Sequence, residues 1–484
     1  MSSINEIREA RIKKLKLLRS KGINPYPAES KREITLREAI DGFDQLEKNK
    51  NIKWLAGRIM SVRGQGAIVF ITLNDGTGTF QGLLKKDILG EKPFDFFNEI
   101  IDIGDFIEIQ GNFFKTKKGE KTLEAKNWRL LTKSLKPLPE KWHGLQDAEE
   151  RFRKRYLDIL MNPEIKELFE KKAKFWETAR NFMKERGFLE VETPSLEITT
   201  GGAEATPFKT YNEDFKLSLY LRISVGELWQ KRLMAAGFPK TFEIGRLYRN
   251  EGADANHLQE FTNLEFYWAY ANYQDGMKLA EELYKKLAQE VFGVLKFETR
   301  GYKFDLEKKW EHIDYRETVE KETGLDILNT TCEEVKNKLD KLKIVYDGET
   351  MERLVDTLWK HCRKKIAGPA FLIGHPKLVS PLSKSMPENE ELTERFQIII
   401  AGSEVGNGYS ELNDPINQAE RFETQRKLIE EGDKEAMMPD DEFVEMLEYG
   451  MPPTCGFGFG EMLFAFLADK PIRETQLFPL MKPK

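Results

Sequence analysis

The chain has 484 residues, too many for one hydrophobic core, which points to two or three domains. Hydrophobic residues make up 40% and charged residues 32%. That balance excludes a disordered chain, and no run of about 18 apolar residues exists to span a bilayer. The net charge of −5 argues against nucleic acid, but its distribution does not. Arg8, Arg11, Lys13, Lys14, Lys16, Arg19 and Lys21 crowd the first segment against Glu6 and Glu9. A second basic stretch carries Lys115, Lys117, Lys118, Lys121, Lys126, Arg129, Lys133 and Lys136. A phosphate backbone responds to local Lys/Arg density, so a basic N-terminal third is compatible with RNA; a solvated charged surface is the plain alternative. Cys332, Cys362 and Cys455 stand far apart without CxxC spacing, which suits neither a disulfide framework nor a zinc site. The N-terminal segment has no apolar stretch of the secretory kind, so a cytoplasmic protein is expected.

In chain order, residues 4–21 read as a helix with Ile4, Ile7, Leu15 and Leu18 at helical spacing, ended by Gly22-Ile23-Asn24-Pro25. Residues 1–30 are therefore set apart as a basic helical segment. Short β-rich runs follow at 52–59, 69–73, 80–84, 106–114 and 123–131, with turn signals at Asn74-Asp75-Gly76 and Lys118-Gly119. A helix at 94–101 falls between the third and fourth runs. Five strands with a helix there suit a closed OB-type barrel over 31–136, a fold that often binds single-stranded nucleic acid. Residues 137–150, with Lys136-Pro137-Leu138-Pro139 at their start, read as a linker to a second domain at 151–484. In that domain a long amphipathic helix (163–185) leads through Gly187 into 188–194. Strands are expected at 242–247 and 260–270, a helix at 276–292, a charged helical insertion at about 310–365, and a buried strand at 398–401. Glycine-rich 456–460 precedes an apolar helix at 463–467.

The densest chemistry lies in Phe242-Glu243-Ile244-Gly245-Arg246-Leu247-Tyr248-Arg249-Asn250-Glu251, a polar loop to His257, and Glu260-Phe261-Thr262-Asn263-Leu264-Glu265. A strand ending in Arg-x-Glu, a loop with His and a return strand opening with Phe make a hairpin. Such a hairpin can offer a guanidinium to phosphate, a carboxylate to a purine amine and a ring to a base. A hairpin with a surface ion pair is the reading that these residues alone leave open.

This segment resembles the second signature motif of the class II aminoacyl-tRNA synthetases. Gly187–Pro194 (GFLEVETP), after the long helix, is similar to their first motif, which forms the dimer interface in that family. Gly456-Phe457-Gly458-Phe459-Gly460 with its apolar helix is similar to their third. The implied fold is α+β: an N-terminal OB barrel, then a class II antiparallel-sheet catalytic domain with flanking helices. Within the class the chain most resembles the lysyl-tRNA synthetases. The resemblance rests on His143-Gly144-Leu145-Gln146-Asp147, Arg155-Tyr156-Leu157-Asp158, Gly201-Gly202-Ala203 with Pro207-Phe208, Tyr220-Leu221-Arg222-Ile223-Ser224, and above all Gly406-Asn407-Gly408-Tyr409-Ser410-Glu411-Leu412-Asn413-Asp414.

That resemblance implies ATP-dependent joining of L-lysine to tRNA(Lys) through lysyl-adenylate, with Mg²⁺ accompanying ATP, in a homodimer without membrane contact. It assigns Arg249 to the α-phosphate and lysine carboxylate as the catalytic residue. Glu251 goes to the adenine amine, Phe261 to the adenine face and His257 to the β/γ-phosphates. Positions matching lysine contacts are Gly202, Glu227, Glu265, Tyr267, Asn407, Tyr409 and Glu411. Three of these are acids and none is basic, as a buried ammonium requires and an aspartate or asparagine pocket does not. Glu404 and Glu411 match acidic positions near the metal sites. Phe70 and Gln81, with Arg58 and Arg63 nearby, match anticodon-reading positions on the barrel.

Two departures stand out. The third motif of the family ends in an arginine that grips the γ-phosphate; here Met462 and Leu463 stand at the two positions open to it, and Arg473 belongs to an ordinary downstream segment. An acidic metal position of many relatives aligns with Gln397, which brings a carbonyl but no charge. An uncompensated lost phosphate clamp costs roughly 2–4 kcal/mol. The expectation is a lysine–tRNA ligase. The competing readings are an aspartate or asparagine relative, a lysine-transferring paralogue that modifies a protein, and a tRNA-binding paralogue disabled at its ATP clamp.

Overall fold

The computed structural model describes residues 3–139, 147–203, 205–252, 257–346, 348, 350–433 and 436–483. They divide into two compact units, Met1–Arg151 and Phe152–Lys484. Of the segment 143–147, only Asp147 lies within the described residues. Residues 148–150, read as linker, open the helix Ala148–Arg153.

The N-terminal unit starts with the helix Ile4–Ser20, capped reciprocally by Ser3 and Glu6. Its buried face is Arg11, Leu15 and Leu18, while Ile4 is exposed, so the apolar stripe is shifted from the one the spacing suggested. Five strands follow: β1 (Ile52–Gln65), β2 (Ile68–Asn74), β3 (Thr79–Lys85), β4 (Phe106–Lys115) and β5 (Lys121–Thr132). They close into a barrel in the order β1-β2-β3-β5-β4, with β3 and β5 parallel. Alternation along β2 turns Val69, Ile71 and Leu73 inward and leaves Phe70 and Thr72 half-exposed. The helix Glu91–Ile100 buries Phe94, Phe97 and Ile100 against this core.

Much of the basic charge read as an RNA surface is consumed internally. Lys133 is buried, its ammonium 2.7 Å from Asp105 and 2.6 Å from the Ile100 carbonyl. Arg11 donates to Ser134 Oγ at 2.6 Å and to the Ile103 carbonyl at 2.9 Å, and Lys14 pairs with Asp102 at 2.8 Å. Arg11 and Lys14 hold the helix onto the barrel and Lys133 closes an ion pair within it, so these three are engaged inside the unit.

The C-terminal unit is built on a nine-stranded sheet. Its strands run in the spatial order Glu311–Asp314, Ala370–Pro376, Asn389–Ile400, Ser403–Ser410, Thr454–Gly460, Glu260–Ala269, Lys240–Tyr248 and Leu189–Glu190, with Ser385–Met386 paired to Asn389–Ile400. Pairing is antiparallel except at the two edges. One face carries Phe242, Leu264, Phe266, Phe396, Phe457 and Phe459 against the helices Pro163–Glu185 and Tyr273–Leu287. The opposite face carries polar groups, because side chains alternate across each strand.

The segment 310–365 is not wholly helical. It opens with the edge strand Glu311–Asp314, which pairs in parallel with Ala370–Pro376 and so belongs to the main sheet. The helices Tyr315–Thr323, Cys332–Lys341 and Met351–Cys362 then bury a small core of their own around Val319, Leu339, Leu354 and Leu358. The hairpin Lys296–Thr299 with Tyr302–Asp305 was not anticipated. Its strands are four residues each, too short for an alternating pattern to register.

Removing the buried cation of the barrel strips the buried Asp105 of its ion-pair partner and leaves Asp102 to Lys14. Lys133→Ala is expected to destabilise the N-terminal unit by roughly 3–5 kcal/mol, read from urea unfolding followed by tryptophan fluorescence. A loss below about 1 kcal/mol would mean that Asp102 and Asp105 are hydrated rather than dependent on Lys133.

Candidate active site

The polar face of the large sheet is organised by one antiparallel pair. Glu260–Ala269 lies between Lys240–Tyr248 and Thr454–Gly460 in strict register: Asn263 faces Gly460, Glu265 faces Gly458 and Tyr267 faces Gly456. Each inward polar side chain of the central strand therefore lies beside a glycine. A Cβ on Gly458 would come within 2.8 Å of Glu265 Cγ, and one on Gly456 within 2.1 Å of Glu411 Oε1. The glycines are there to let carboxylates into the sheet surface.

The acids gather around one ammonium. Lys231, from the helix Glu227–Ala235, is buried with Nζ 2.8 Å from Glu227 Oε1 and 2.6 Å from Glu411 Oε2. Its ammonium lies within 6.0 Å of the ring centres of Tyr267, Tyr409 and Phe443. The Tyr409 hydroxyl donates to Glu227, and the Val225 amide donates to Glu265 at 2.7 Å. Gly202, with φ of +88°, packs onto Glu227, and any side chain there would collide with it.

Glu227 and Glu411 share the one ammonium, and Glu265 adds a third buried carboxyl close to Glu227. Burial, reinforced by Glu227, pushes Glu265 up to about 7. Burial pushes Glu411 up to about 8, with Glu227 adding to it and Lys231 opposing it. Burial alone would lower Lys231, but Glu227 and Glu411 together raise it, so Lys231 stays charged. Glu411 Oε1 is buried and accepts no hydrogen bond among the described residues. The site is thus short of a cation.

Beside this cluster opens a cavity of about 640 Å³, lined by Gly202, Arg249, Glu251, His257, Phe261, Gln397, Glu404, Asn407, Tyr409 and Met462. The hairpin turn brings the first four polar and aromatic candidates together: the Arg249 amide bonds to the Gln259 carbonyl at 2.9 Å, and the guanidinium lies 5.4 Å from the Phe261 ring centre. Arg249 also donates to the Ile223 carbonyl at 3.4 Å, which aims it along the pocket wall. Glu227, Glu265, Tyr267 and Glu411 lie just behind the lining, in the ammonium cluster.

The structure places Glu411, matched both to lysine and to metal, with Oε2 2.6 Å from Lys231 Nζ and Oε1 beside Gly456. It also decides between the two positions of the missing arginine: Leu463 is fully buried in the core, whereas Met462 lines the cavity. The turn before Met462 is pinned by Glu461, which pairs with Lys172 and accepts from Gln476 Nε2 at 2.7 Å. Arg473 lies 4.9 Å from the Phe152 ring centre and donates to Met481, outside the cavity lining.

Glu404 and Gln397 sit together, but not as a cation site. Trp359 Nε1 donates to Glu404 Oε1 at 2.8 Å, Arg363 pairs with the same oxygen at 2.6 Å, and Gln397 Nε2 donates to Oε2 at 3.2 Å. Burial opposes the Glu404 charge, yet Arg363 above all holds the carboxyl below its ordinary value. His375 Nε2 lies 3.1 Å from Gln397 Oε1. Burial and the nearby Arg395 keep His375 neutral, so Nε2–H donates and the amide turns its carbonyl away from Glu404. A metal shared by Gln397 and Glu404 would have to break these bonds; the donor set does not fit one. Among the described residues no group of three or more His, Cys, Asp or Glu side chains could hold a metal ion.

Arg395, Lys231, Trp359 and Arg363 were not singled out from the sequence. Arg395 donates to Asn407 Oδ1 at 2.9 Å and lines the cavity. It stands three positions before the apolar run at 398–401 that drew attention, two positions upstream of Gln397. Lys231 is four residues after Glu227, the spacing that brings helical side chains together.

On the barrel, Phe70, Thr72 and Gln81 lie on the outward face, and Arg63 stands directly across from Phe70. A bulge between Ile59 and Ser61 turns Arg58 to the same face, over the Phe106 ring at 4.2 Å. Phe70 is thus not barrel core.

Residues 147–482 match the family described as tRNA synthetases class II (D, K and N), and residues 53–131 match an OB-fold nucleic acid binding domain. The chain belongs to the class II tRNA synthetases. Among its relatives, a protein of Thermotoga maritima named lysine–tRNA ligase is 42% identical over 99% of this chain and 97% of its own. A lysine–tRNA ligase of Halalkalibacterium halodurans is 41% identical over 99% and 98%. One of Pelotomaculum thermopropionicum is 42% identical over 99% and 96%.

Because Gly458 makes room for Glu265, Gly458→Ala is expected to raise the KM for the amino acid about tenfold or more while leaving ATP binding and the unfolding midpoint little changed. An unchanged amino-acid KM would show that the strand shifts freely to accommodate a methyl group.

Proposed function

We propose that the chain is a lysine–tRNA ligase: it activates L-lysine with ATP and transfers it to tRNA(Lys). The observation that carries this is the ammonium cluster, in which Glu227 and Glu411 hold Lys231 while burial pushes Glu411 and the neighbouring Glu265 up toward their protonated forms, so that a second ammonium can take the place of those protons. A substrate ammonium fills that place, with Tyr267 and Tyr409 as polarisable walls. An aspartate side chain would meet three carboxylates, and an asparagine amide would leave their charge unbalanced. The family includes D-, K- and N-specific members, so this electrostatic sign is what separates them here.

In the first step the lysine carboxylate attacks the α-phosphorus of ATP, forming lysyl-adenylate and releasing pyrophosphate. Little proton transfer is involved, so the chain contributes position and charge. Arg249 neutralises the α-phosphate and the attacking carboxylate, Phe261 supports the adenine face, Glu251 accepts from its amine, and His257 lies toward the distal phosphates. In the second step the 3′-terminal ribose hydroxyl of tRNA attacks the adenylate carbonyl and AMP leaves. Mg²⁺ enters as the counter-ion of ATP; with Glu404 and Gln397 engaged as described, no step is routed through a protein-held ion.

The barrel would read the anticodon through Phe70 as a stacking ring, Gln81 as an edge reader, and Arg58 and Arg63 as cations on the same face. Leu189, Leu196 and Ile198 are half-exposed or more in the region of the first motif, and a second copy would cover them in a homodimer. Among the described residues no helix is long and apolar enough to cross a membrane, in keeping with work in the cytoplasm.

Two outcomes test this reading. Lysine should support ATP–pyrophosphate exchange, and aspartate and asparagine should not; tRNA binding without exchange in the presence of lysine would instead make the chain a binding paralogue, which Met462 favours. Lysine binding should also release protons. Glu265 and Glu411 titrate near 7 and 8 in the free site, and an incoming ammonium lowers both. At pH 7 protons should therefore leave as lysine binds, and affinity should rise as pH rises through neutrality. Calorimetry in two buffers of different ionisation enthalpy reads this directly; equal heats at pH 7 would contradict it.

A further inference from the structure

Among the described residues the cavity lining holds five long cations, Arg249, Arg353, Lys360, Arg363 and Arg395, of which Arg353 is paired with Asp433 and Arg395 is engaged by Asn407, Val379 and Ser380. The wall formed by the hairpin and the glycine strand offers Arg249, while Met462 on that side offers no donor. A triphosphate brings about four negative charges near pH 7. The opposite wall is formed by the helix Met351–Cys362 and the turn Arg363–Lys365 that follows it. Lys360 and Arg363 project from there into the lining of the same cavity.

We propose that Arg363, with Lys360 beside it, is the polyphosphate clamp of this site, built from the inserted helices rather than from the glycine strand. The proposal rests on the reading of the cavity as an ATP site. Arg363 is held in place by Glu404, 2.6 Å from Nη1, and its side chain is 21% exposed. Glu404 is itself fixed by Trp359 and Gln397. A guanidinium carries five N–H donors in a rigid fork, so a contact through one nitrogen leaves others for phosphate oxygens. Lys360 pairs with Asp356 at 2.6 Å, one turn earlier on the helix, and adds mobile charge at the rim.

This arrangement accounts for both departures in the sequence at once. Gln397 in place of an acid removes one negative charge beside Glu404, and the remaining carboxylate is matched by Arg363. The cation that faces the phosphates is then a side chain from the insertion, and Met462 no longer needs to be one. It also gives the insertion a role in the reaction.

The test is a titration of the full chain with ATP, ADP, AMP and adenosine, each in excess Mg²⁺, for the natural protein, Arg363→Gln, Arg363→Lys and Lys360→Ala. The clamp predicts that Arg363→Gln weakens ATP roughly 10- to 100-fold while AMP and adenosine change less than about threefold. Arg363→Lys should fall between, and Lys360→Ala should cost a few-fold for ATP only. Adding Met462→Arg to Arg363→Gln should restore much of the ATP affinity, since a cation returns to the same cavity from the other wall. Parallel losses for ATP and AMP, or none for ATP, would overturn the clamp. If Arg363→Gln fails to fold, as judged by its unfolding midpoint, the ATP-to-AMP selectivity of Arg363→Lys and Lys360→Ala decides. Lysine-dependent exchange, run in parallel, separates the two claims. Exchange that is indifferent to Arg363 rejects the clamp alone; ATP binding that depends on Arg363 without any lysine-dependent exchange rejects the ligase reading and leaves the clamp standing.

Discussion

The ammonium of Lys231, enclosed by Glu227, Glu411 and the nearby Glu265, is the interaction on which the catalytic unit turns. Burying charges is costly, and a paired set is tolerated only when its geometry is tight and its remaining valences are met. Here the geometry depends on backbone as much as on side chains. The strand Thr454–Gly460 gives up three side chains so that Asn263, Glu265 and Tyr267 can lie against it. Gly202 gives up another above Glu227. What would otherwise be a continuous apolar sheet face becomes a polar floor, and the aromatic residues displaced from it (Phe457 and Phe459) go to the opposite face, where they pack with Phe266, Phe396 and Tyr284. A strand that is glycine on one side and phenylalanine on the other is the sequence form of that division.

The same cluster sets the sign of what can bind. A pocket that holds one internal cation against three acids selects for a second cation, and it does so before any detail of shape is considered. Tyr409 links this selection to the rest of the cavity, because it both donates to Glu227 and lines the space where the nucleotide would lie. On the proposed reading, amino-acid recognition and nucleotide positioning would share a strand, Ser403–Ser410, which also carries Glu404 and Asn407. A shift of that strand would move both substrates together, as a reaction that depends on near-attack placement requires.

Legibility in the sequence followed the range of the interactions. The Arg249–Glu251 hairpin, the glycine strand and the five-stranded barrel could be read because each is coded by neighbours: turn residues, alternation and short spacing. The floor of the pocket could be named residue by residue only through resemblance. Lys231 went unnoticed although Glu227 was named, since a lysine on a helix is ordinarily solvated. Arg363 and Trp359 were hidden in a segment that reads as charged helix; their role arises from meeting Glu404 across about forty positions of chain. Glu411 was named, but its pairing with Lys231 was not, because the two meet across most of the catalytic unit's sequence. The basic N-terminal third was the least faithful signal. Arg11, Lys14 and Lys133 count as surface cations in a composition, yet they pair with Asp102, Asp105 and backbone carbonyls inside the barrel unit.

That internal use of charge sharpens the case for the face of the barrel that remains. Once the cations of the helix–barrel seam are set aside, the outward surface of β1, β2 and β3 still presents Arg58, Arg63, Phe70 and Gln81 together. Its organisation owes little to net charge: the β1 bulge brings Arg58 into phase with Arg63, and the β2–β3 register sets Gln81 diagonal to Phe70. Base recognition in single strands relies on a stacking ring with hydrogen-bonding groups at fixed offsets, with cations contributing mainly phosphate contacts. A chain with a negative total can hold such a surface because the attraction is local, within a Debye length of about 8–10 Å. The outward cations Arg58 and Arg63 stand beside Phe70 and Gln81, so on this face local arrangement rather than total charge sets what the barrel offers.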